Sequence, residues 1–126
     1  MENVLLNLVV LCSPDIERSR AFYEALGLRF QLERHGSGPE HYACELGKTV
    51  LEIYPRTLGQ AVAPCTRFGF SVASIEEVVV RLARMNIYPV AEPRASLWGR
   101  RAVLQDPDGH RVELLEPREV ENEPAP

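Results

Sequence analysis

The sequence repeats itself with a period of about 60 residues. Asp15-Ile16-Glu17 and Ser74-Ile75-Glu76 each read as the start of a helix, and they lie 59 residues apart. Later in each half the offset becomes 61, which places Glu52 on Glu113. A repeat this long indicates two supersecondary units built alike.

Composition places the chain among ordinary globular proteins. It has 126 residues, 45% hydrophobic residues and a net charge of −4, and no block of Lys or Arg. We therefore expect no nucleic-acid or membrane partner. Three cysteines with no Cys-x-x-Cys pair indicate reduced thiols and a cytoplasmic protein, since they suggest neither a disulfide framework nor a zinc ribbon.

Each half reads as a strand, a helix and three strands, which predicts an α+β fold. We expect one domain over residues 1–117, with modules 4–54 and 66–117, a linker over 55–65 and a disordered tail over 118–126. The predicted strands span residues 4–12, 28–32, 42–46 and 49–54 in the first half, and 68–72, 101–104 and 112–115 in the second, where residues 90–95 form either a strand or an irregular segment.

Strand alternation brings charged side chains onto the face turned away from the helices. Glu52 shares that face with Tyr54, whereas its apolar neighbours point toward the helix. By the same alternation Glu113 and Arg67 face away from the second helix. Leu8 is the repeat equivalent of Arg67, because each stands seven residues before a helix start. Two Glu and one Arg then form either a solvated sheet face or a partly enclosed site.

Three motifs carry a family resemblance. They are Asp15-Ile16-Glu17-Arg18-Ser19-Arg20-Ala21-Phe22-Tyr23 followed by Leu26-Gly27, then Thr49-Val50-Leu51-Glu52, then Asp106-Pro107-Asp108-Gly109 followed by Val112-Glu113-Leu114. Over residues 4–117 the chain resembles the vicinal oxygen chelate superfamily, which includes glyoxalases, bleomycin resistance proteins and extradiol dioxygenases. The resemblance implies paired βαβββ modules whose sheets curl around a cleft. It also implies a homodimer, often with the cleft built from both chains.

The resemblance also places a metal site, and this sequence departs from it. Metal-using members carry four ligands at positions that correspond here to Leu8, Glu52, Arg67 and Glu113. Leu8 has no donor atom, and Arg67 is a cation without a lone pair. Two carboxylates alone do not make a usual zinc, nickel or iron site. We therefore expect no metal cofactor, with Arg67 paired to Glu52, Glu113 or both.

The three histidines leave one alternative open. His35, His41 or His110 could be recruited as a substitute metal ligand. His41 precedes a predicted strand and could reach the mouth of the cleft. His110 lies at the Asp-Pro-Asp-Gly turn, and we expect it at the surface.

The leading hypothesis is a protein that binds a small molecule in the cleft without the usual divalent metal, or an enzyme that uses Glu52 or Glu113 as a catalytic base. The expected ligand-binding residues are Leu8, Tyr54, Arg67, Trp98 and Arg111. Trp98 either stacks on a planar ligand or packs at an edge, and Arg111 either holds an acidic ligand or is solvated.

Two other classes of protein remain. One is a metal-dependent lyase, isomerase or dioxygenase of the same superfamily with an altered ligand set. The other is a structural or partner-binding module with a vestigial cleft. Neither the ligand nor the arrangement of the dimer follows from the sequence.

Overall fold

A computed structural model describes residues 5–56 and 66–118. The chain divides into two compact modules, Met1–Ala63 and Pro64–Pro126. Most of the predicted linker, residues 57–65, and nearly all of the predicted tail, residues 119–126, lie outside the described residues. Neither described helix is long and apolar enough to cross a bilayer.

The first module has the predicted order of elements. Its elements are β1 (Leu8–Ser13), α1 (Ile16–Ala25), β2 (Gln31–Glu33), β3 (His41–Leu46) and β4 (Thr49–Pro55). The sheet order is β1-β4-β3-β2, so that β4 is an inner strand. β1 runs parallel to β4, and the other neighbours are antiparallel.

The second module repeats this arrangement. Its elements are β5 (Arg67–Ser71), α2 (Ile75–Ala83), β6 (Ala91–Ser96), β7 (Gly99–Gln105) and β8 (Arg111–Pro117). The order β5-β8-β7-β6 makes β8 the counterpart of β4. The α+β class and the two βαβββ modules predicted from the sequence are therefore confirmed.

The register of the strands confirms the repeat offsets residue by residue. Parallel partners at equivalent places are Leu8 with Val50 and Arg67 with Arg111, then Val10 with Glu52 and Gly69 with Glu113. Because one residue of slip would turn every side chain to the other face, the shared register fixes which side chains of each module face alike.

Two strands begin three or more residues later than predicted, and the other starts differ by two residues or fewer. The first strand begins at Leu8 rather than at residue 4, and the second begins at Gln31 rather than at Leu28. Leu28 is buried and its N–H donates to the carbonyl of Tyr23, 3.2 Å away, in the turn that ends α1. That turn needs the left-handed φ of Gly27, so Leu28 belongs to the helix terminus and not to the strand.

The same turn ends α2 with a different residue. Asn86, 59 residues after Gly27, has a φ of 61°, and the N–H of Ile87 donates to the carbonyl of Leu82 at 3.0 Å. Asn tolerates this conformation better than other residues with a side chain. Each helix also begins with a side-chain cap, from Asp15 in α1 and from Ser74 in α2.

Each core lies between a helix and one face of its sheet. On the inner strands Leu51 and Ile53, and likewise Val112 and Leu114, are buried. The residue between each pair is a glutamate that faces away from the helix. Alternation on the inner strand therefore sets the position of both acidic groups.

Gly99 offers a test of the second module. Its φ is 135°, and an added Cβ would collide with the Glu116 carbonyl and lie 2.9 Å from the Arg118 nitrogen. We expect Gly99→Ala to lower the free energy of unfolding by about 3 kcal/mol or more, because strain and collision add.

The matched control is Gly47→Ala in the first module. Gly47 also has a positive φ, of 62°, but nothing lies within 4 Å of an added Cβ. Urea denaturation should show a loss of about 1 kcal/mol there. Equal losses for the two variants would contradict the collision.

Candidate functional site

Glu113 lies between two arginines on the open face of the second sheet. Its Oε2 accepts a hydrogen bond from Nη1 of Arg67 at 2.9 Å, and its Oε1 accepts one from Nη2 of Arg101. The predicted pairing of Arg67 with Glu113 is confirmed. Sequence reasoning missed Arg101 as a partner, because its proximity depends on the pairing of β7 with β8.

These arginines hold the Glu113 carboxyl in its charged form. Partial burial alone would raise the pKa of Glu113, but hydrogen bonds and charge from Arg101, and then from Arg67, lower it below its usual value. A carboxylate with a lowered pKa and both oxygens engaged is a weak general base. Two guanidinium groups against one carboxylate also leave one positive charge without a partner in this cluster.

Arg67 is not enclosed in its module. Its side chain is 57% exposed, against 21% for Glu113. An exposed ion pair contributes little to stability, since water and salt screen it and two long side chains must be ordered. Arg67 therefore acts as a counter-charge at the rim of the open face.

A pocket of about 360 Å³ lies beside Glu113. Arg101, Glu113 and Trp98 contribute to its wall, and Trp98 is 66% exposed in the turn between β6 and β7. Gly69, opposite Glu113 on β5, keeps this place open, because a Cβ there would stand 3.3 Å from the Glu113 carbonyl oxygen. The structure thus places Trp98 at a pocket.

Further arginines lie on the same sheet. Arg67, Arg94 and Arg101 line a neighbouring recess of about 540 Å³. Arg111 is the strand partner of Arg67 and is half-buried. This face of the second module is therefore rich in positive charge.

In the first module the corresponding glutamate has a histidine as its neighbour. Nε2 of His41 lies 3.7 Å from Oε2 of Glu52 and 3.7 Å from Oε1 of Glu33. His41 is 1% exposed, and the ring of Tyr54 stacks on it with centroids 4.1 Å apart and planes 9° apart. Burial and the charges of Glu52 and Glu33 raise the pKa of Tyr54. Tyr54 therefore supports His41 rather than standing free on the face.

His35 and Glu33 complete the group around His41. Nε2 of His35 lies 3.5 Å from Oε1 of Glu33. One donor atom from each of Glu33, His35, His41 and Glu52 falls within 4.8 Å of the others. Sequence analysis missed Glu33, because only the pairing of β2 with β3 brings it beside His41.

The two modules carry contrasting side chains at equivalent places on this face. Glu33 pairs with His41 across β2 and β3, as Arg94 pairs with Arg101 across β6 and β7. The equivalent pairs are Leu8 and Arg67, Glu33 and Arg94, His41 and Arg101, and Glu52 and Glu113. The first module thus presents acids and imidazoles, where the second presents arginines around one acid.

Leu8 extends the open face of the first module toward β1. It is 48% exposed and pairs with Val50, and Val10, the strand partner of Glu52, is 46% exposed. The face beside Glu52 is therefore apolar on its β1 side.

His110 is not at the surface, and that expectation was wrong. It is 7% exposed, and its Nδ1 lies 2.7 Å from Oδ2 of Asp106. Oδ1 of Asp106 accepts from the backbone N–H groups of Asp108 and His110, both at 2.9 Å. His110 and Asp106 therefore brace the Asp-Pro-Asp-Gly turn.

The four ligand positions implied by the family do not fit a metal here. Leu8 offers no donor atom, and Arg67 offers a positive charge. Both oxygens of Glu113 accept from arginines, so that they are already neutralised. A divalent cation at these positions would have to displace an ion pair and stand beside a guanidinium.

Comparison with known proteins identifies the family. A model of the Glyoxalase/Bleomycin resistance protein/Dioxygenase superfamily matches residues 5–114. The chain belongs to this superfamily. A comparison with curated proteins gives no significant match.

Solved structures share the fold at low sequence identity. Oxidase ChaP-H2 is 21% identical with a TM-score of 0.72, over 93% of this chain and 96% of that one. TnmS3, an antibiotic binding protein from Streptomyces sp. CB03234, is 20% identical with a TM-score of 0.72, over 94% and 99%. A glyoxalase/bleomycin resistance protein from the same source is 20% identical with a TM-score of 0.69, over 89% and 100%. At these identities the likeness establishes the fold alone.

The exposure of Arg67 gives a stability prediction. Arg67→Leu should lower the free energy of unfolding by no more than about 1 kcal/mol, because the pair is exposed and Arg101 still neutralises Glu113. Urea denaturation measures the change, and Arg111→Leu on the paired strand is the matched control. A loss of about 3 kcal/mol for Arg67→Leu alone would show that Arg67 is buried in the assembled protein.

The lowered pKa of Glu113 gives a pH prediction. Its folded-state pKa lies below the unfolded value of 4.5, so that its ionised form stabilises the fold above that pH, and the contribution is lost as pH falls through the folded pKa. The difference in unfolding free energy between wild type and Glu113→Gln should therefore shrink on acidification from about pH 7 to about pH 3. A difference that grows on acidification would contradict the assignment.

Proposed function

We propose that the protein binds a small organic anion with a planar group on the open face of its second module. The observation that carries the proposal is the pocket in which Trp98 stands beside the Arg101–Glu113 pair. Binding needs no metal at the four positions where metal-using relatives place ligands. The protein is then a binding protein of the glyoxalase and bleomycin resistance type.

Charge supports an anionic ligand. Arg67 and Arg101 share one carboxylate, so that the cluster carries a net positive charge. Guanidinium groups present paired donors that match carboxylate and phosphate oxygens. Arg111 adds a further positive charge on the strand next to Arg67. A ligand anion would be held by the guanidinium N–H groups of these arginines that do not donate to Glu113.

Trp98 supports a planar ligand. An exposed indole at a pocket offers a flat apolar surface on which an aromatic ring stacks. Such a pocket, with few polar groups at one end, is the usual form of a small-molecule site. TnmS3, an antibiotic binding protein, has the same fold, which is consistent with this proposal.

The remaining expectations are part of the proposal. We propose a cytoplasmic homodimer without nucleic-acid or membrane partners, in keeping with its net charge of −4. Leu8 and Tyr54 would act in the first module, where Leu8 offers apolar surface and Tyr54 supports His41. Glu52 is the better placed of the two proposed bases, because among the described residues it pairs with no arginine of its own module.

The test uses the single tryptophan as a reporter. Titration with 8-anilinonaphthalene-1-sulfonate, a planar aromatic anion, should quench Trp98, whereas the uncharged N-phenyl-1-naphthylamine should bind more weakly. Arg101→Gln should weaken binding of the anion by about 10-fold or more, since a hydrogen bond to a charged group contributes about 1.5–3 kcal/mol.

Arg100→Gln is the matched control. Arg100 is adjacent on β7 but faces the helix side, where its Nη1 donates to Glu76 at 2.8 Å. Its substitution should leave the affinity within about 2-fold of the wild type. Equal binding of the charged and uncharged probes, unaffected by Arg101→Gln, would refute an anion site at this pocket.

A further inference from the structure

We infer that the first module holds a divalent transition-metal ion between Glu33, His35, His41 and Glu52. This donor set is not the one implied by the family, with which it shares only Glu52. It lies within one module and includes His35 and His41, two of the three histidines that the sequence allowed as substitute metal ligands. His110 takes no part, because Asp106 holds it in the other module.

The first observation is a buried nitrogen without a hydrogen bond. Among the residues that the structure describes, Nε2 of His41 has no hydrogen-bond partner, and the His41 side chain is 1% exposed. It points toward two carboxylates at 3.7 Å, which is too far for a hydrogen bond of about 2.7–3.2 Å. Leaving a buried polar atom unsatisfied costs about 1–3 kcal/mol, so that the arrangement calls for a partner in the gap.

The second observation is the contact made by the other ring nitrogen of His41. Its Nδ1 lies 3.2 Å from the Pro39 carbonyl oxygen, which can only accept a hydrogen bond. As a hydrogen bond this contact needs the proton on Nδ1, and that tautomer would turn the lone pair of Nε2 toward Glu33 and Glu52. A histidine that donates one N–H to a backbone carbonyl and turns the other nitrogen to a metal is the usual arrangement in metal sites.

The spacing of the donors fits an ion. A tetrahedral zinc ion with bonds of about 2.0–2.1 Å holds its donor atoms roughly 3.3–3.4 Å apart. Glu33 lies 3.5 Å from His35 and 3.7 Å from His41, and Glu52 lies 3.7 Å from His41. All four donor atoms lie within 4.8 Å of one another, so that side-chain movements of about 1 Å would bring them to the spacing of a shared ion.

Donor chemistry and access indicate the class of metal. Two imidazoles and two carboxylates suit zinc and its neighbours in the first transition row, whereas magnesium and calcium prefer oxygen alone. The two carboxylates balance the charge of a dication. Glu33, His35 and Glu52 also line a recess of about 660 Å³, which gives an ion a route from solvent.

The second module supplies an internal comparison. Its glutamate at the equivalent place is neutralised by Arg101, which stands where the first module has His41. Arg94 likewise stands where the first module has Glu33. The first module has donors with lone pairs at both places, so that a metal ion there would neutralise Glu52 as the arginines neutralise Glu113.

The test is calorimetric titration of the metal-stripped full-length protein with Zn²⁺, and with Co²⁺ for its absorption spectrum. We expect one ion per chain and a Co²⁺ spectrum without a thiolate charge-transfer band, which separates this site from the cysteines. Glu33→Gln and His35→Ala should each weaken binding at least 10-fold. Both side chains are partly or largely exposed, so that these variants should fold.

Glu45→Gln is the matched control. Glu45 is an exposed acid on the same sheet and lines the same recess, but it is outside the donor group. It should change the affinity by less than about 2-fold. Failure of the wild type to bind Zn²⁺ more tightly than a Glu33→Gln/His35→Ala double variant would overturn the inference, as would a thiolate band. Either result would leave the anion pocket of the second module unaffected.

Discussion

Each module must neutralise a carboxylate at the middle of its inner strand. Alternation on β4 and β8 buries the residues on either side of Glu52 and Glu113 beneath a helix and turns the acids to the opposite face. Both acids are more than three-quarters covered there, with 16% and 21% of their side chains exposed. A partly desolvated charge is stable only with partners, so that the side chains on the flanking strands follow from this one position.

The modules provide those partners in opposite ways. Around Glu113 the neighbours are guanidinium groups, which bring positive charge and have no lone pair to offer. Around Glu52 they are an imidazole and a second acid, which bring lone pairs and negative charge. The first arrangement would suit an anion and the second a cation, as we propose. The same backbone therefore presents two faces of different charge, and fold alone does not decide which one forms.

Much of this could be predicted from the sequence, because the repeat and the alternation of strands are local patterns. They placed Glu52, Glu113, Arg67 and Leu8 on open faces and gave the order of the elements. Arg101 and Glu33 were missed, because only hairpin register brings them beside the acids. His110 was misplaced, because the turn that contains it is closed by a buried Asp106 rather than opened to water. The spacing of residues along one strand does not show which residues of the neighbouring strand lie beside them.

The identical register of the two modules has a consequence for how such proteins change over time. None of the residues that distinguish the open faces packs beneath a helix, although His41 is buried, and each has a counterpart at the same place in the other half. At four places, those of Leu8, Glu33, His41 and Val50 in the first face, the second face carries an arginine instead. The side chains on the open face of a repeated module can therefore change while the residues that pack beneath its helix stay the same. One module can change its open face in this way while the other keeps its own.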